Sequence, residues 1–342
     1  MRSLLNNPAL YFFVVLISFT ACRKNNPSKA TGPAAIYTAG MLVSGTGSSV
    51  AAYWKDGVLQ ELTSGNTDAE ALGIAVSGYD IYVAGYERKD DAGNMAVAKY
   101  WKNGVPVALT DGNSNAVAYS IAIAGNDIFV AGYEYNTATL RMNARYWKNG
   151  VSMPLTDGSN WSYAYKVLVV GKDVYICGNE NGPGGGPVAK YWKNGVPVNL
   201  TDGPHSAFAM DIAVSGNDVY VCGSESNGTV SVAKYWKNGV ATVLGNGTKS
   251  SGASAILVSG NDVHISGNEY ASLDYKARYW KNGTGQDLTA EADGDGGAGS
   301  LFMYNNDLYI TGSLNGKPLL WKNLQLVPND IPEGSFHQLI VQ

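Results

Sequence analysis

The chain has 342 residues and a formal net charge of -4, with 15% charged residues, 42 glycines and 22 tyrosines. Ordinary domains carry roughly 25% charged residues and ~7% glycine, so this composition indicates many short strands joined by tight turns. The negative charge argues against a nucleic-acid partner bound through a basic surface. Three cysteines and three histidines argue against a disulfide scaffold, and we expect no metal site and no cofactor.

Residues 1–21 predict an export signal. One basic residue, Arg2, precedes an apolar run from Tyr11 to Ile17, and small residues follow that run. A basic start, a short apolar core and a small-residue cleavage site are typical of a signal peptide. The apolar run is too short for a membrane-spanning helix.

The end of this signal, Phe19-Thr20-Ala21-Cys22, resembles the lipobox of bacterial lipoproteins, although Phe19 stands where leucine is usual. The resemblance implies that Cys22 becomes the lipidated first residue and holds the protein at a membrane of the bacterial cell envelope. Residues 22–34 would then be a flexible tether. The segment after Cys22 lacks an acidic surface-export run, which favours the periplasmic side of the outer membrane. The alternative is a plain secretory signal with an incidental cysteine.

A Tyr-Trp-Lys-(Asn/Asp)-Gly block recurs every 44–47 residues from Trp54 onward, and a weaker copy follows at Trp321. In the second copy the apolar stretches predict strand A at 72–77, strand B at 80–85, strand C at 98–102 and strand D at 105–110. Four strands in a period of about 40–50 residues predict a β-propeller. The remaining tryptophans of this column are Trp101, Trp147, Trp192, Trp236 and Trp280.

Tight turns separate these strands. Gly-Asn-Asp or a variant joins strands A and B, and Lys-Asn-Gly joins strands C and D. Asparagine and glycine tolerate the positive φ that short hairpins require. Six aspartates recur in the A–B turn, and we expect each of them to cap its own backbone: Asp80, Asp127, Asp173, Asp218, Asp262 and Asp307.

The two ends of the repeat array complement each other. The first copy begins at Ile36 with a strand B, and the chain ends at Gln338–Val341 with a strand A. The last strand can therefore complete the first blade and close the ring, which removes open sheet edges. We predict an all-β fold with seven four-stranded antiparallel blades over residues 35–342. The units resemble bacterial extracellular seven-bladed propeller repeats and, more loosely, kelch repeats.

Several residues of the repeat are predicted to pack in the core. In strand A, Leu72, Ile74 and Val76 are expected on one face and the small residues on the other. We expect the tryptophan column between blades, where each ring buries ~150–250 Å². Cys177 and Cys222 share a column with alanines and serve as small fillers. His264 stands in a Tyr/Phe column and is interpreted as a packing substitute.

The B–C and D–A loops vary between copies and share one face, which is where we expect a binding surface. Gly-x-Glu follows strand B in five copies, and we expect these glutamates to form an arc at the mouth of the central channel. They either bind a ligand or cation, or pair with the basic residue that strand C carries in the same copies. The five are Glu87, Glu134, Glu180, Glu225 and Glu269.

The variable face is also rich in aromatic residues. Trp161, the one tryptophan outside the repeat column, lies in a loop close to Tyr163. Tyr119 occupies the place of Tyr165 one blade earlier. Such rings suit glycans, peptides or a protein partner. We expect further aromatics on or near this face: Tyr133, Tyr135, Tyr165, Phe208, Tyr270 and Tyr275. The acidic loop 291–297 lacks the acids that an EF-hand requires.

The leading functional hypothesis is a monomeric, non-enzymatic lipoprotein whose variable face binds a glycan, a peptide or an envelope protein. The main alternative is a carbohydrate-active lyase or hydrolase that uses the glutamate arc, since two carboxylates ~5–10 Å apart can cleave glycosidic bonds. Seven similar blades give similar environments, however, whereas an acid–base pair needs different pKa values. A third hypothesis is a structural part of the envelope.

Overall fold

Every regular element that the computed structural model describes is a β-strand, and the strands form seven four-stranded antiparallel sheets. The structure describes residues 34–45, 47–89, 94–271, 273–290, 294–328 and 334–342. Cys22 and the rest of the predicted signal and tether, up to residue 33, lie outside these ranges. Within them, no helix is long and apolar enough to cross a membrane.

Blade 1 joins the two ends of the chain. It contains β1 (Ile36–Val43), β2 (Ser49–Lys55), β3 (Val58–Glu61) and, as its innermost strand, β28 (Gly334–Val341). Strand β28 pairs antiparallel with β1 from Ile36 opposite Val341 to Leu42 opposite Gly334. The predicted closure of the ring by the C-terminal strand is confirmed.

The other six blades each use four consecutive strands, ordered from the axis outward as A, B, C and D. Blade 2 has β4 (Ala69–Ser77), β5 (Asp80–Arg88), β6 (Ala96–Lys102) and β7 (Val105–Ala108), and blade 3 has β8 (Ala116–Ala124), β9 (Asp127–Asn136), β10 (Arg141–Lys148) and β11 (Val151–Pro154). Blade 4 has β12 (Ser162–Val170), β13 (Asp173–Asn181), β14 (Pro187–Lys193) and β15 (Val196–Asn199), and blade 5 has β16 (Ala207–Ser215), β17 (Asp218–Ser226), β18 (Ser231–Lys237) and β19 (Val240–Val243). Blade 6 has β20 (Ser251–Ser259), β21 (Asp262–Tyr270), β22 (Tyr275–Lys281) and β23 (Thr284–Asp287), and blade 7 has β24 (Gly296–Tyr304), β25 (Asp307–Leu314), β26 (Lys317–Lys322) and β27 (Gln325–Val327).

The tryptophan column packs between blades, as predicted. Trp101 of blade 2 is buried against Ala39 and Ala51 of blade 1, and Trp147 of blade 3 is buried against Ala84 of blade 2. A large ring against alanines lets neighbouring sheets approach closely, which fills the interior at high density. The contact between neighbouring blades thus consists of the repeat tryptophan of one blade and small residues of the other.

The two core cysteines fill the alanine column, as expected. Cys177 packs in the cluster of Trp236, and Cys222 packs in the cluster of Trp280. Both are fully buried free thiols, and burial raises the pKa of each thiol well above its ordinary value. They are therefore held as neutral packing groups.

The A–B and C–D turns are fastened to each other on the constant face, which is the face opposite the variable loops. In blade 2, Asn103 accepts a hydrogen bond from the Ile81 amide and donates one to Asp80, and Lys102 pairs with Asp80 at 2.8 Å. The expectation that these aspartates cap their own backbone was wrong, because their carboxylates accept from the next turn. The same arrangement recurs from blade 3 to blade 7.

Candidate ligand-binding site

Each innermost strand contains a β-bulge. In blade 2, Ala71 lies opposite Gly85 and Gly73 lies opposite Ala84, so Leu72 is left without a partner. The uninterrupted alternation predicted for strand A was therefore wrong at this residue. A β-carbon on Gly85 would lie 1.9 Å from the Glu70 carbonyl oxygen, so the close approach of the strands at the bulge requires glycine.

The bulged residues of all seven blades meet at the axis of the ring. They line a cavity of about 140 Å³, here called the channel chamber. A bulge redirects the side chain of its extra residue, here toward the axis of the ring. The column consists of Leu72, Tyr119, Tyr165, Met210, Ser254, Gly299 and His337.

A second cavity, of about 380 Å³, opens between blades 2 and 3 and is here called the aromatic pocket. It contacts the channel chamber through Leu72 and Tyr119, which line both. Its volume falls within the ~300–1,000 Å³ typical of small-molecule sites. The functional side chains in its wall are Glu70, Tyr86, Arg88, Asn115, Tyr119 and Tyr133.

Four tyrosines form a continuous ring cluster beside this pocket. The Tyr119 ring centroid lies 5.8 Å from that of Tyr133 and 5.4 Å from that of Tyr165, and Tyr163 lies 5.3 Å from Tyr133. Burial raises the pKa of all four hydroxyls, so they stay protonated and able to donate hydrogen bonds. Tyr119 and Tyr163, predicted as ligand-binding residues, are brought together here.

One carboxylate lies in the wall of the pocket. Glu70 accepts a hydrogen bond from the Tyr86 hydroxyl at 2.9 Å, and its other oxygen lies 3.6 Å from Nε2 of His337. Burial lowers the pKa of His337, and Glu70 partly opposes that shift. Arg88 lies over the Tyr86 ring with 6.0 Å between its guanidinium carbon and the ring centroid. The pocket thus combines flat rings with carboxylate, guanidinium and amide groups.

The five predicted glutamates pair with the basic residues of strand C, which is one of the alternatives that the sequence left open. None of the five side chains belongs to the described lining of the channel chamber or the aromatic pocket. Each lies beside the basic residue of strand C instead, at 2.6 Å in blades 2, 4 and 5, 2.7 Å in blade 3 and 3.9 Å in blade 6. The pairs are Glu87–Lys99, Glu134–Arg145, Glu180–Lys190, Glu225–Lys234 and Glu269–Arg278.

The other predicted aromatics are spread over the variable face. Trp161 is 37% exposed and lies in the loop just before Tyr163. Tyr270 and Tyr275 form an edge-to-face pair in blade 6, with centroids 5.3 Å apart. Phe208 occupies the strand position of Tyr163 one blade later, and Tyr135 lies near the end of β9.

Sequence reasoning missed Glu70, Tyr86, Arg88, Asn115 and Met142, which line the aromatic pocket. A comparison of equivalent positions would have found the first of them. The residue two places before the bulge is Glu70 in blade 2, Val117 in blade 3, Tyr163 in blade 4 and Gly252 in blade 6, whereas the next residue is alanine in all four. A position that differs between otherwise near-identical repeats is one at which the fold does not require a particular residue.

The described residues contain no group of three or more His, Cys, Asp or Glu side chains placed to hold a metal ion. Part of the acidic loop, residues 291–293, lies outside the described ranges. The described lining of the aromatic pocket offers hydroxyl, amide, carboxylate and guanidinium groups, which form hydrogen bonds and ion pairs.

No protein-family model matches the chain, and no curated protein sequence matches it either. Among solved structures, the chain is similar to a Mycobacterium tuberculosis puromycin-hydrolyzing peptidase, with a TM-score of 0.50 and 11% sequence identity over 76% of this chain and 46% of that one. The chain thus spans about half the length of the peptidase. A nidogen/laminin complex matches with a TM-score of 0.46 and 8% identity over 91% of this chain and 98% of that one. At such identities the likeness to the peptidase is one of fold alone.

Proposed function

We propose that this protein is a binding module of the bacterial cell envelope, anchored through Cys22, and that it recognises a glycan at the aromatic pocket. The proposal rests on one observation above all. A pocket of about 380 Å³ is walled by the rings of Tyr86 and Tyr133 and carries Glu70 at a position where the other blades have unrelated residues. Because the repeat does not require a carboxylate at this position, a ligand is the better explanation for its presence.

The chemistry of the wall favours a glycan over a peptide or an envelope protein. Sugar rings present apolar C–H faces that stack on aromatic rings, and their hydroxyls pair with planar groups that both donate and accept. Tyr86 and Tyr133 supply rings, while Glu70, Arg88 and Asn115 supply carboxylate, guanidinium and amide groups. Tyrosine combines an apolar body with a polar tip, which suits such a mixed surface.

Binding is preferred to catalysis because of the glutamates. The enzyme hypothesis requires carboxylates of the arc to act as acid and base or nucleophile. Glu87 and Glu180 each lie 2.6 Å from a lysine, so each carboxylate already has a partner within its blade. Glu70 is the carboxylate in the aromatic pocket, and no second carboxylate is among the described residues that line it.

The test is a glycan array followed by isothermal titration of the purified protein with the best neutral glycan. Tyr133→Ala is expected to weaken binding about tenfold, because loss of a stacked ring costs about 1.4 kcal/mol. Glu70→Gln should weaken it by removing a charged acceptor. Tyr79→Ala is the matched control, since Tyr79 is 102% exposed in the A–B turn on the constant face.

Two results would contradict the proposal. One is the failure of every glycan to bind while a peptide or envelope protein does. The other is a glycan that binds the Tyr133→Ala variant as tightly as the Tyr79→Ala variant, because the aromatic pocket would then not be the site.

A further inference from the structure

At several bulges, a backbone amide is satisfied by a side chain from the neighbouring blade. The Gln338 side-chain oxygen accepts a hydrogen bond from the Ile74 amide at 3.0 Å. Ser300 Oγ accepts one from the Leu339 amide at 3.2 Å. In both cases the accepting residue directly follows the bulged residue of its own strand. The donating amide belongs to the second residue after the bulge in the next blade. Ser120 serves the Val167 amide in the same way at 3.3 Å.

In these contacts the side-chain oxygens act as acceptors, and the donor groups of the same side chains remain without a partner in the part of the chain that the structure describes. Gln338 accepts through its amide oxygen, so its NH₂ group is left over. Ser120 and Ser300 accept through their oxygens, so their hydroxyl protons are left over. All three residues line the channel chamber. The polar wall of this chamber is therefore rich in unused donors.

Lys166 adds a positive charge to this wall. It follows the bulged Tyr165 in blade 4 and lines the chamber. Its Nζ lies 3.9 Å from Oδ1 of Asp211, which is too long for a hydrogen bond. Among the described residues its ammonium makes that one ion pair and donates no hydrogen bond. The group therefore has three donors available toward the chamber.

Asp211 does not cancel this donor surplus. Its two carboxylate oxygens accept the Ile212 amide at 2.9 Å and the Ile256 amide at 3.0 Å. Both oxygens therefore already have a backbone donor and do not take up the donors of Lys166, Ser120, Ser300 or Gln338. Burial raises the pKa of this carboxyl, and the Lys166 ammonium opposes that shift.

Four polar residues, of which Asp211 is an acceptor and the other three carry donors, form a belt across the channel. Lys166, Asp211, Ser300 and Gln338 line both the chamber of about 140 Å³ and a second cavity of about 280 Å³ on the side of the constant face. That second cavity is walled mainly by aliphatic side chains such as Leu168. A ligand that enters from the variable face meets the belt as the polar end of the chamber.

We propose that the channel chamber binds the carboxylate group of a small ligand, with the Lys166 ammonium as its counter-ion and Ser120, Ser300 and the Gln338 amide as hydrogen-bond donors. The rings of Tyr119 and Tyr165 form the wall above the belt and contact the rest of the ligand. This site goes beyond the glycan pocket, because the belt residues are not part of that pocket. The carboxylate belongs either to a free small acid or to the acidic sugar of a glycan.

The experiment titrates the purified protein with acetate and lactate as free acids and with glucuronate as the acidic sugar. Acetamide and glucose are the matched neutral probes. Binding is followed by ligand-observed NMR. We expect a carboxylate to bind at least tenfold more tightly than its neutral counterpart, and we expect Lys166→Met to lose at least tenfold in affinity. Lys172→Met, in the exposed A–B turn of the same blade, should bind like the parent protein.

Two further variants keep the test decisive if Lys166→Met does not fold. Lys166→Arg retains the cation and should retain binding, while Lys166→Ser places at this position the residue type that blades 3 and 7 carry and should lose it. Binding of glucuronate alone would assign the carboxylate to an acidic glycan, and binding of acetate or lactate would assign it to a free acid.

Equal affinity for acetate and acetamide would overturn the proposal. So would full binding in Lys166→Ser, or the absence of saturable binding by all three carboxylates. The glycan proposal is tested separately, because Tyr133→Ala should lower the affinity for a neutral glycan and leave the affinity for acetate unchanged.

Discussion

The pair Glu180–Lys190 decides whether the glutamate arc stabilises the blades or is available for a ligand. Its two charged atoms lie 2.6 Å apart, and the side chains are 19% and 9% exposed. Lys190→Met removes the cation but keeps the apolar stem beside the Trp192 ring. Because Glu180 then remains partly desolvated without a partner, we expect a loss of about 2–3 kcal/mol, below the ~3–5 kcal/mol of a fully buried pair.

The measurement is a double-mutant cycle by urea denaturation. Glu180→Gln combined with Lys190→Met should regain about 1–2 kcal/mol relative to the sum of the single changes. Asp173–Lys193 in the same blade is the matched control, with atoms 2.9 Å apart and side chains 39% and 46% exposed. Solvent screens that pair, so its coupling should be the smaller of the two. Equal couplings would refute this reasoning and would leave the arc free to bind a ligand.

Three other changes test separate parts of the molecule. Gln338→Leu strands the buried Ile74 amide and should lower the free energy of unfolding by about 1–3 kcal/mol, whereas Gln338→Ser should regain most of it in the same urea titration. Burial lowers the pKa of His264 from 6.5, so the unfolded chain binds more protons below about pH 6.5 and stability should fall as the pH drops through that range. His264→Tyr should reduce this slope in thermal unfolding between about pH 7 and pH 5, and an unchanged slope would assign it elsewhere, for example to His337. Cys22→Ser should release the protein from the membrane fraction, and continued sedimentation with membranes would contradict the lipid anchor.

The repeat made the architecture readable from the sequence. Each unit has a tryptophan at the same position, and this tryptophan packs against alanines of the preceding unit. Trp101 against Ala39 is an example. Asn-Gly turns fix the hairpins because few other residues adopt positive φ, as at Asn103 and Gly104. Strand ends were less exact: strand A of blade 2 begins at Ala69 rather than at residue 72.

The candidate site was only partly predictable. Tyr119 and Tyr163 were found as aromatic residues in a variable region, but the bulge that directs Tyr119 into the channel is a change of register between two strands. Such a change has no periodic signature in one strand alone. Its signature was in the partner strand, where the Gly85 column is glycine in every blade because a side chain would collide with a carbonyl. The pairing of the glutamates with strand C was one of the alternatives that the sequence left open, because each glutamate recurs in the same copies as a basic residue, and Glu87 and Lys99 lie 2.6 Å apart.

Lys166 stands at a position that carries a hydrogen-bond acceptor for the next blade in blades 1, 3, 5 and 7, and a lysine there has a cost in the fold. A lysine cannot accept a hydrogen bond, so it cannot serve the Ile212 amide of the next blade as Ser120 serves Val167. Asp211 takes over that amide from its own strand and also serves Ile256, at the expense of a buried carboxylate. Serine at position 166 would restore the usual contact, so Lys166→Ser should leave the urea midpoint unchanged or raised while it abolishes carboxylate binding. A lower midpoint together with intact binding would mean that Lys166 is present for the stability of the ring and not for a ligand.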